Sequence, residues 1–459
     1  MIELNFKKLE SFISHKMSET NLPGISLRVI KDDDIQLSRG FGFRNIEKAL
    51  PANEKTSYAI ASITKSFTAL SIMQLKERGM LDVNDPVSDY LPSLEIKPKG
   101  EPIRLKHLLN HTSGIPALGY SESFIKKKVG AGKAWLPLAD TNDMIDFING
   151  AKEWVYSEPG ERFFYSNEGY ILLGAIVKKI SGISYKKYVK ENIFTPLEME
   201  RSFFDRKNLE DDQNLATPYI LSDEGEQISS IYPTRWLKAH GGIRSNVVDL
   251  SRYLKMYLNG GKLGKTRIVT EKSLEEMKTF GVPTPSVEGS FGESGYGYGL
   301  GVIKNFFGHR LISHSGSILV STGYIGFIPE KNIGISLLAN GSGYSLSYLG
   351  MYGLALALGQ DPKDCPFIFR ETALEELEGI YETYRGTMKA QVKEVGDLIE
   401  VKIKDKYNED VTQLIPEDLG EDQRIFYYLE DGNKIPVQFE LGTGKINLIF
   451  ERYRLKKVD

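Results

Sequence analysis

Ser62 and Lys65 stand three residues apart at the opening of the strongest helical stretch in the chain. A hydroxyl at a helix start and an amine one turn later share a face, with Cβ atoms roughly 5–6 Å apart. That is the spacing a serine nucleophile and its activating lysine need. A helix N-terminus also favours negative charge developing on the serine or on an attacked carbonyl oxygen. The plainer alternative is that Ser62 caps the helix and Lys65 is a solvated surface lysine. S-x-x-K by itself does not separate the two.

The element that must carry the pair runs from Ser62 to Arg78 without Pro or Gly. Ile63, Phe67, Leu70 and Met73 recur at helical spacing, with Ala69, Ile72 and Leu75 widening the apolar face. Lys76 and Arg78 in the last turn and Gly79 after it supply the stop. Upstream, residues 5–19 read as an amphipathic helix and 25–30 and 35–42 as strands.

Residues 105–110 form a short element that closes at Thr112-Ser113-Gly114. It holds His107 and His111 at i, i+4, a spacing that two zinc ligands on one helix would share. Leu108 follows His107 where H-E-x-x-H has glutamate, and no third ligand is evident, so both histidines read as structural and no metal or cofactor is expected. A loop-rich, aromatic stretch, 130–160, ends at Glu158-Pro159-Gly160. Tyr165 and Asn167 come next, with Asn167 placed to cap a helix over 168–180. Strand-like runs at 298–304 and 309–313 lead to His314-Ser315-Gly316-Ser317. Runs at 323–328 and 333–340 complete an antiparallel meander, and a helix follows over 344–358.

The composition changes after Gln360. Residues 361–370 read as a linker, and from 371 to 459 the chain switches to short period-2 segments at 388–392, 398–403, 424–429, 436–441 and 446–455. With turns between them and no helix-length period, they predict a small all-β barrel. The expected division is therefore 1–360, a linker over 361–370, and a barrel over 371–459.

Apolar residues at 41% and charged residues at 26% are an ordinary globular balance with material for a core. The 58 basic and 61 acidic residues leave a net charge of -3, which gives no electrostatic footprint for nucleic acid. Cys365 is the only cysteine, so intramolecular disulfides and a cysteine-rich metal site are excluded. Residues 1–8 lack the apolar core of a signal peptide, and no run approaches the ~18 apolar residues of a membrane span. The chain is expected to be cytoplasmic, without a membrane partner, and the sequons at Asn110 and Asn340 read as coincidences.

Taken together, Ser62-x-x-Lys65, Tyr165-x-Asn167 and His314-x-Gly316 stand in an order that resembles the penicillin-recognising serine hydrolases, and S-x-x-K is a motif of that superfamily. The nearest group is the class C β-lactamase-like (CubicO, S12-type peptidase) branch, whose second motif is Y-x-N. Residues 105–114, Glu158-Pro159-Gly160 and the run from His240 to Ser245 resemble the same family, so the likeness covers roughly residues 20–358. It implies an α+β fold, an antiparallel sheet flanked by helices, and an acyl-enzyme on Ser62. By the same resemblance, Lys65 and Tyr165 work as a coupled acid–base pair, and which of them is the base stays open. Asn167, His314, Gly316 and Ser317 are implied substrate-binding residues, with an oxyanion hole from the N–H groups of Ser62 and Ser317.

The departure is His314, where penicillin-binding members carry lysine in K-T-G; histidine is only partly protonated near neutrality. This favours the H-x-G esterases and D-amino-acid peptidases of the group. The expected activity is a peptidase acting on peptides containing D-amino acids, with a carboxylesterase on the same residues as the alternative and a β-lactamase or an inactive binding protein behind both. No G-x-S-x-G nucleophile elbow is present, which argues against an α/β-hydrolase. The opening of the tail, from Leu374 to Tyr381, resembles the lipocalin-like domain of some CubicO-type peptidases. It implies a tail that restricts access to the site or mediates assembly into a homo-oligomer. The expected partners are thus a peptide or small ester substrate and further copies of the chain.

Overall fold

The computed structural model describes residues 6–133, 135–204, 212–222, 225–233, 237–285, 291–404, 406–442 and 444–458. Two compact units divide it, Met1–Pro362 and Lys363–Asp459. The helices that matter below are α1 Lys7–Glu19, α2 Thr64–Glu77, α3 Tyr120–Val129, α4 Asn167–Ser181, α5 Val247–Leu258, α6 Leu346–Leu358 and α7 Pro366–Glu375. Residue 5, where the first helix was expected to begin, lies outside the described residues.

The first unit is built on an antiparallel sheet. Its strands are β1 Gly24–Lys31, β2 Asp34–Asn45, β3 Leu50–Pro51, β4 Val282–Pro283, β5 Ser294–Tyr296, β6 Gly301–Phe306, β7 His309–Ser317, β8 Thr322–Ile328 and β9 Ile333–Ala339. They lie in the order β4-β5-β6-β7-β8-β9-β1-β2-β3, so the first hairpin continues the sheet of the late meander, with Ile25 opposite Ala339. Every residue of β9 is buried, which is why it reads as a continuous apolar run rather than an alternation. Its two faces meet different helices, as a side-chain period of two requires. Ser336 donates to the Val247 carbonyl of α5 (3.4 Å), while a Cβ on Gly353 of α6 would come within 2.6 Å of Ile335 Cδ1.

Helix α2 differs from the one-sided helix expected from its pattern, because all its residues from Thr64 to Leu75 are buried. Its hydroxyls must then find partners inside the protein. Ser66 Oγ donates to Ile63 O (2.8 Å), Ser71 Oγ to Phe67 O (2.8 Å) and Thr68 Oγ1 to Ala239 O (2.6 Å). The stretch expected as loops also contains a helix, Thr141–Asn149, started by Asp140, whose carboxylate accepts from the N–H groups of Asn142 and Asp143.

In the second unit a closed antiparallel barrel follows α7. Its strands are β10 Gly379–Glu382, β11 Lys389–Val395, β12 Leu398–Lys404, β13 Glu409–Leu419, β14 Gln423–Glu430, β15 Asn433–Gly442, β16 Lys445–Phe450 and β17 Tyr453–Lys457. Along β11, buried Ala390 and Val392 alternate with exposed Lys389, Gln391 and Lys393. Inward residues such as Tyr381, Val401, Phe426, Phe439 and Leu448 fill the interior. The period-2 reading missed β10 and β13 and fused β16 with β17, which are separated at Glu451, a residue in the left-handed conformation (φ 50°). Residues 361–370, read as a linker, carry a tight turn at Pro362–Asp364 and the first half of α7, whose first residue is Pro366.

Candidate active site

Ser62 lies in a 3-10 turn, Ala61–Ile63, that feeds α2, and not in the first turn of the α-helix itself. The segment before it is pinned from both sides. Tyr58–Ala59 pairs with Arg244–Ser245, Ile60 N–H donates to Ile243 O (3.0 Å), and Ser321 Oγ donates to Ala59 O (2.9 Å). These bonds hold Ala61 left-handed (φ 47°), a conformation that costs a residue with a Cβ roughly 1–2 kcal/mol. Strand β7 passes so close that a Cβ on Gly316 would stand 2.4 Å from Ile60 O and 2.9 Å from Ser62 N. Only glycine permits that approach.

Lys65 projects from the first turn of α2 into a fully buried position. Its Nζ lies 3.0 Å from Ser62 Oγ, 2.7 Å from Asn167 Oδ1 and 2.9 Å from His240 O. Burial pushes its pKa down to about 7, against the opposing pull of the Glu122 and Glu168 carboxylates. Near neutrality the amine is thus available uncharged. Two N–H groups then serve Asn167 and His240, and the lone pair faces the serine hydroxyl.

Tyr165 is held by the loop that closes the 105–114 motif. Phe164 N–H donates to His111 O (2.7 Å), Ser166 N–H to His111 Nδ1 (3.0 Å) and Tyr156 N–H to Gly114 O (3.0 Å). The His111 ring packs on the Tyr165 ring with centroids 4.3 Å apart. Lys65 Nζ sits 4.7 Å from the Tyr165 centroid, and the phenol lies beside Ser62. Burial holds its proton more tightly than in an ordinary tyrosine, the Ser62 hydroxyl partly offsetting this. The helix cap expected of Asn167 belongs to Ser166, whose hydroxyl accepts from Gly169 N–H (3.2 Å). Asn167 is the first helical residue, which frees its amide: Oδ1 accepts from Lys65 and Nδ2 donates to Glu122 Oε1 on α3 (2.8 Å).

On the far wall, β6 pairs with β7 up to Gly301 and Ser313, while residues 314–317 of β7 pair with β8 alone. This open edge, with Ser62, Tyr165 and Asn167 opposite, lines a groove of about 960 Å³. Ser317 is exposed there, and its hydroxyl accepts from Leu319 N–H (3.3 Å). His314 departs from the partly protonated histidine expected at this position. It is buried, and burial together with the neighbouring Lys65 pushes it down to about 3, leaving the imidazole neutral. Its Nδ1 lies 2.5 Å from Ser315 O and its Nε2 2.7 Å from the Tyr296 hydroxyl.

Ser62, Lys65, Tyr165, Asn167, His314, Gly316 and Ser317 are thus brought to one cleft. Sequence reasoning did not single out Glu122 or Tyr296. Glu122 lies in a lysine-rich helix that reads as solvated, and Tyr296 sits in a Gly-Tyr-Gly-Tyr-Gly run without period. His240 was noted only as part of a family-like stretch, whereas its carbonyl is the third partner of Lys65. Of the two histidines at zinc-like spacing, His107 Nδ1 accepts from Arg104 N–H (3.2 Å) and His111 Nδ1 from Ser166. Among the described residues no group of His, Cys, Asp and Glu is assembled to hold a metal ion.

Residues 9–357 match the Beta-lactamase family and residues 362–456 the Pab87 octamerisation domain. The chain is 30% identical over 336 residues to Protein flp of Staphylococcus aureus (strain NCTC 8325), an alignment covering 73% of this chain and 63% of that protein. It therefore spans less than two thirds of that relative. Among solved structures, the octameric penicillin-binding protein homologue from Pyrococcus abyssi superposes with a TM-score of 0.93 at 45% identity, covering 99% of this chain and 100% of the other. A penicillin-binding protein from Bacillus halodurans superposes at 0.62 with 26% identity over 75% of this chain and 99% of its own. An antiparallel sheet flanked by helices, a serine–lysine–tyrosine cleft and the family match over most of its length agree: this chain belongs to the β-lactamase family of penicillin-binding-protein-like folds.

Proposed function

We propose that this protein is a serine hydrolase that forms an acyl-enzyme on Ser62 and cleaves peptides containing D-amino acids. The observation that carries the reading is the buried Lys65 amine, 3.0 Å from Ser62 Oγ and held by Asn167 Oδ1 and His240 O. With its pKa at about 7, Lys65 is the general base and Tyr165, which keeps its proton, is the acid. Lys65 takes the Ser62 proton, the oxygen bonds to the substrate carbonyl carbon, and the carbonyl electron pair moves onto its oxygen. The Ser62 and Ser317 N–H groups receive that oxyanion, each such donor typically contributing roughly 2.7–4 kcal/mol. Collapse breaks the bond to the leaving amine, which takes the Tyr165 proton, and Lys65 reprotonates Tyr165. Water then attacks the ester carbonyl, giving its proton to Lys65. Collapse of that intermediate breaks the bond to Ser62 Oγ, which takes the proton back from Lys65 3.0 Å away, and the free acid leaves.

D-peptide substrates are favoured by the likeness to the H-x-G peptidases. A carboxylesterase would use the same residues, so the deciding assay sets D-alanyl anilides beside short-chain nitrophenyl esters. Anilide cleavage lost in Ser62→Ala is expected, and ester turnover without amide cleavage overturns the peptidase reading. We further propose that the barrel joins copies of the chain into an octamer, a reading supported by the octamerisation-domain match and the octameric P. abyssi homologue. No helix among the described residues is long and apolar enough to cross a membrane.

A further inference from the structure

His314 has no ring nitrogen left for a substrate. Its Nδ1 faces a carbonyl oxygen, Ser315 O at 2.5 Å, and a carbonyl only accepts, so Nδ1 carries the proton. Nε2 is then the bare nitrogen, and the Tyr296 hydroxyl 2.7 Å away donates to it. A second proton on the ring would face the Tyr296 oxygen in a buried site that already holds the Lys65 amine. The groups gathered round the imidazole are Lys65 from α2, His111, and Tyr296 from β5, whose hydroxyl also meets that of Tyr170; Tyr165 and Tyr170 pack on His111. None of these supplies a carboxylate that would favour the imidazolium.

Among the described residues, the rest of the groove supplies no replacement cation. Among its described lining residues the only side chain with an ordinary charge is the Glu122 carboxylate. The Lys65 amine is committed to Ser62, Asn167 and His240. A substrate carboxylate beside the leaving group would give up part of its hydration and meet no cation among the described lining residues.

We propose that Tyr296, by donating its hydroxyl proton to His314 Nε2, keeps that imidazole uncharged and occupied, and so fits the cleft to acyl compounds whose leaving side carries no carboxylate. Tyr296 acts here as a positioning residue that sets specificity through His314. The inference rests on the serine-hydrolase reading and adds to it the charge class of the substrate.

The test compares N-acyl-D-alanyl-D-alanine with its C-terminal carboxamide, at about pH 6 and about pH 8, in the full chain. In the wild type the carboxamide is expected to lead by about tenfold or more in kcat/KM at both pH values, the difference residing in KM. Tyr296→Phe should narrow that ratio at least about threefold near pH 6, read as the within-protein comparison of the two compounds, and by less near pH 8. His314→Lys installs a cation without touching Tyr296 and should narrow the ratio as well, which keeps the test open if the phenylalanine variant folds poorly. Equal turnover of the two compounds by the wild type, or a ratio unmoved in both variants, overturns the proposal. Should neither compound be cleaved and no phosphonate adduct form on Ser62, the activity reading has failed. Calorimetric binding of the two compounds to the wild-type chain then decides the inference alone: preference for the carboxamide upholds it, and equal or reversed affinity overturns it.

Discussion

Lys65 Nζ and Asn167 Oδ1 lie 2.7 Å apart although 102 residues separate them in the chain. The amide passes the contact on, because Asn167 Nδ2 donates to Glu122. A base whose proton affinity has fallen to about 7 must lose its proton before Ser62 can be activated. kcat/KM is therefore expected to rise with pH through about 7 and then level off. The Glu122 carboxylate opposes the fall, so Glu122→Gln, which can still accept from Asn167, should move this limb to lower pH. Asn167→Asp puts a negative charge on the amine and should move it higher. Rate profiles of the three proteins check this. A limb that stays put in both variants would remove Lys65 as the titrating base.

Gly316 is the point where the sheet touches the turn that carries Ser62. An alanine methyl would meet Ile60 O and Ser62 N at 2.4 and 2.9 Å, both backbone atoms that side-chain rotation cannot relieve. Gly316→Ala is expected to cut kcat on the order of 10²-fold or more, by pushing the edge strand off the oxyanion position. Single-turnover kinetics with circular dichroism will separate this from unfolding. A folded variant with wild-type kcat would mean that β7 does not register the reacting carbonyl.

The barrel interior is a continuous apolar cluster in which Phe439 is wholly buried and packs edge-on to Phe426, 5.4 Å between centroids. Phe439→Ala should destabilise the second unit by about 3–5 kcal/mol. If that unit joins the copies, light scattering of the wild type should give eight times the 51.6 kDa chain mass, and the variant a smaller particle. Wild-type protein that runs as a single chain would sink the octamer proposal.

EDTA is expected to leave turnover unchanged, because the serine reaction uses only side chains and backbone N–H groups of this chain. A large loss, restored by added zinc, would return attention to His107 and His111.

Much of this arrangement was legible in the sequence, and the reasons differ by region. The meander and the 62–78 helix carry strong local patterns with clean stops, so their place in the chain could be read directly. The three motifs that meet in the cleft could be picked out because the proposed chemistry restricts residue types at fixed spacings. The all-round burial of α2 was not, because buried Ser and Thr read as polar until their bonds to Ile63, Phe67 and Ala239 are seen. The cap of α4 was off by one residue, since Ser166 and Asn167 are both good caps and only the contact with Lys65 decides between them. Tyr296 and Glu122 could not be found at all. Their roles arise from partners 18 and 45 residues away, and no local pattern encodes such a pairing.

The closed barrel of the second unit has a corollary for how copies of the chain meet. Closure gives each strand a neighbour on either side, yet along β13 the ladders change over: residues 409–414 pair with β12 alone and 415–419 with β14 alone. Where the ladders are complete on both sides, contact through that surface is left to side chains, patch to patch. Such a joint stops growing only where its symmetry closes.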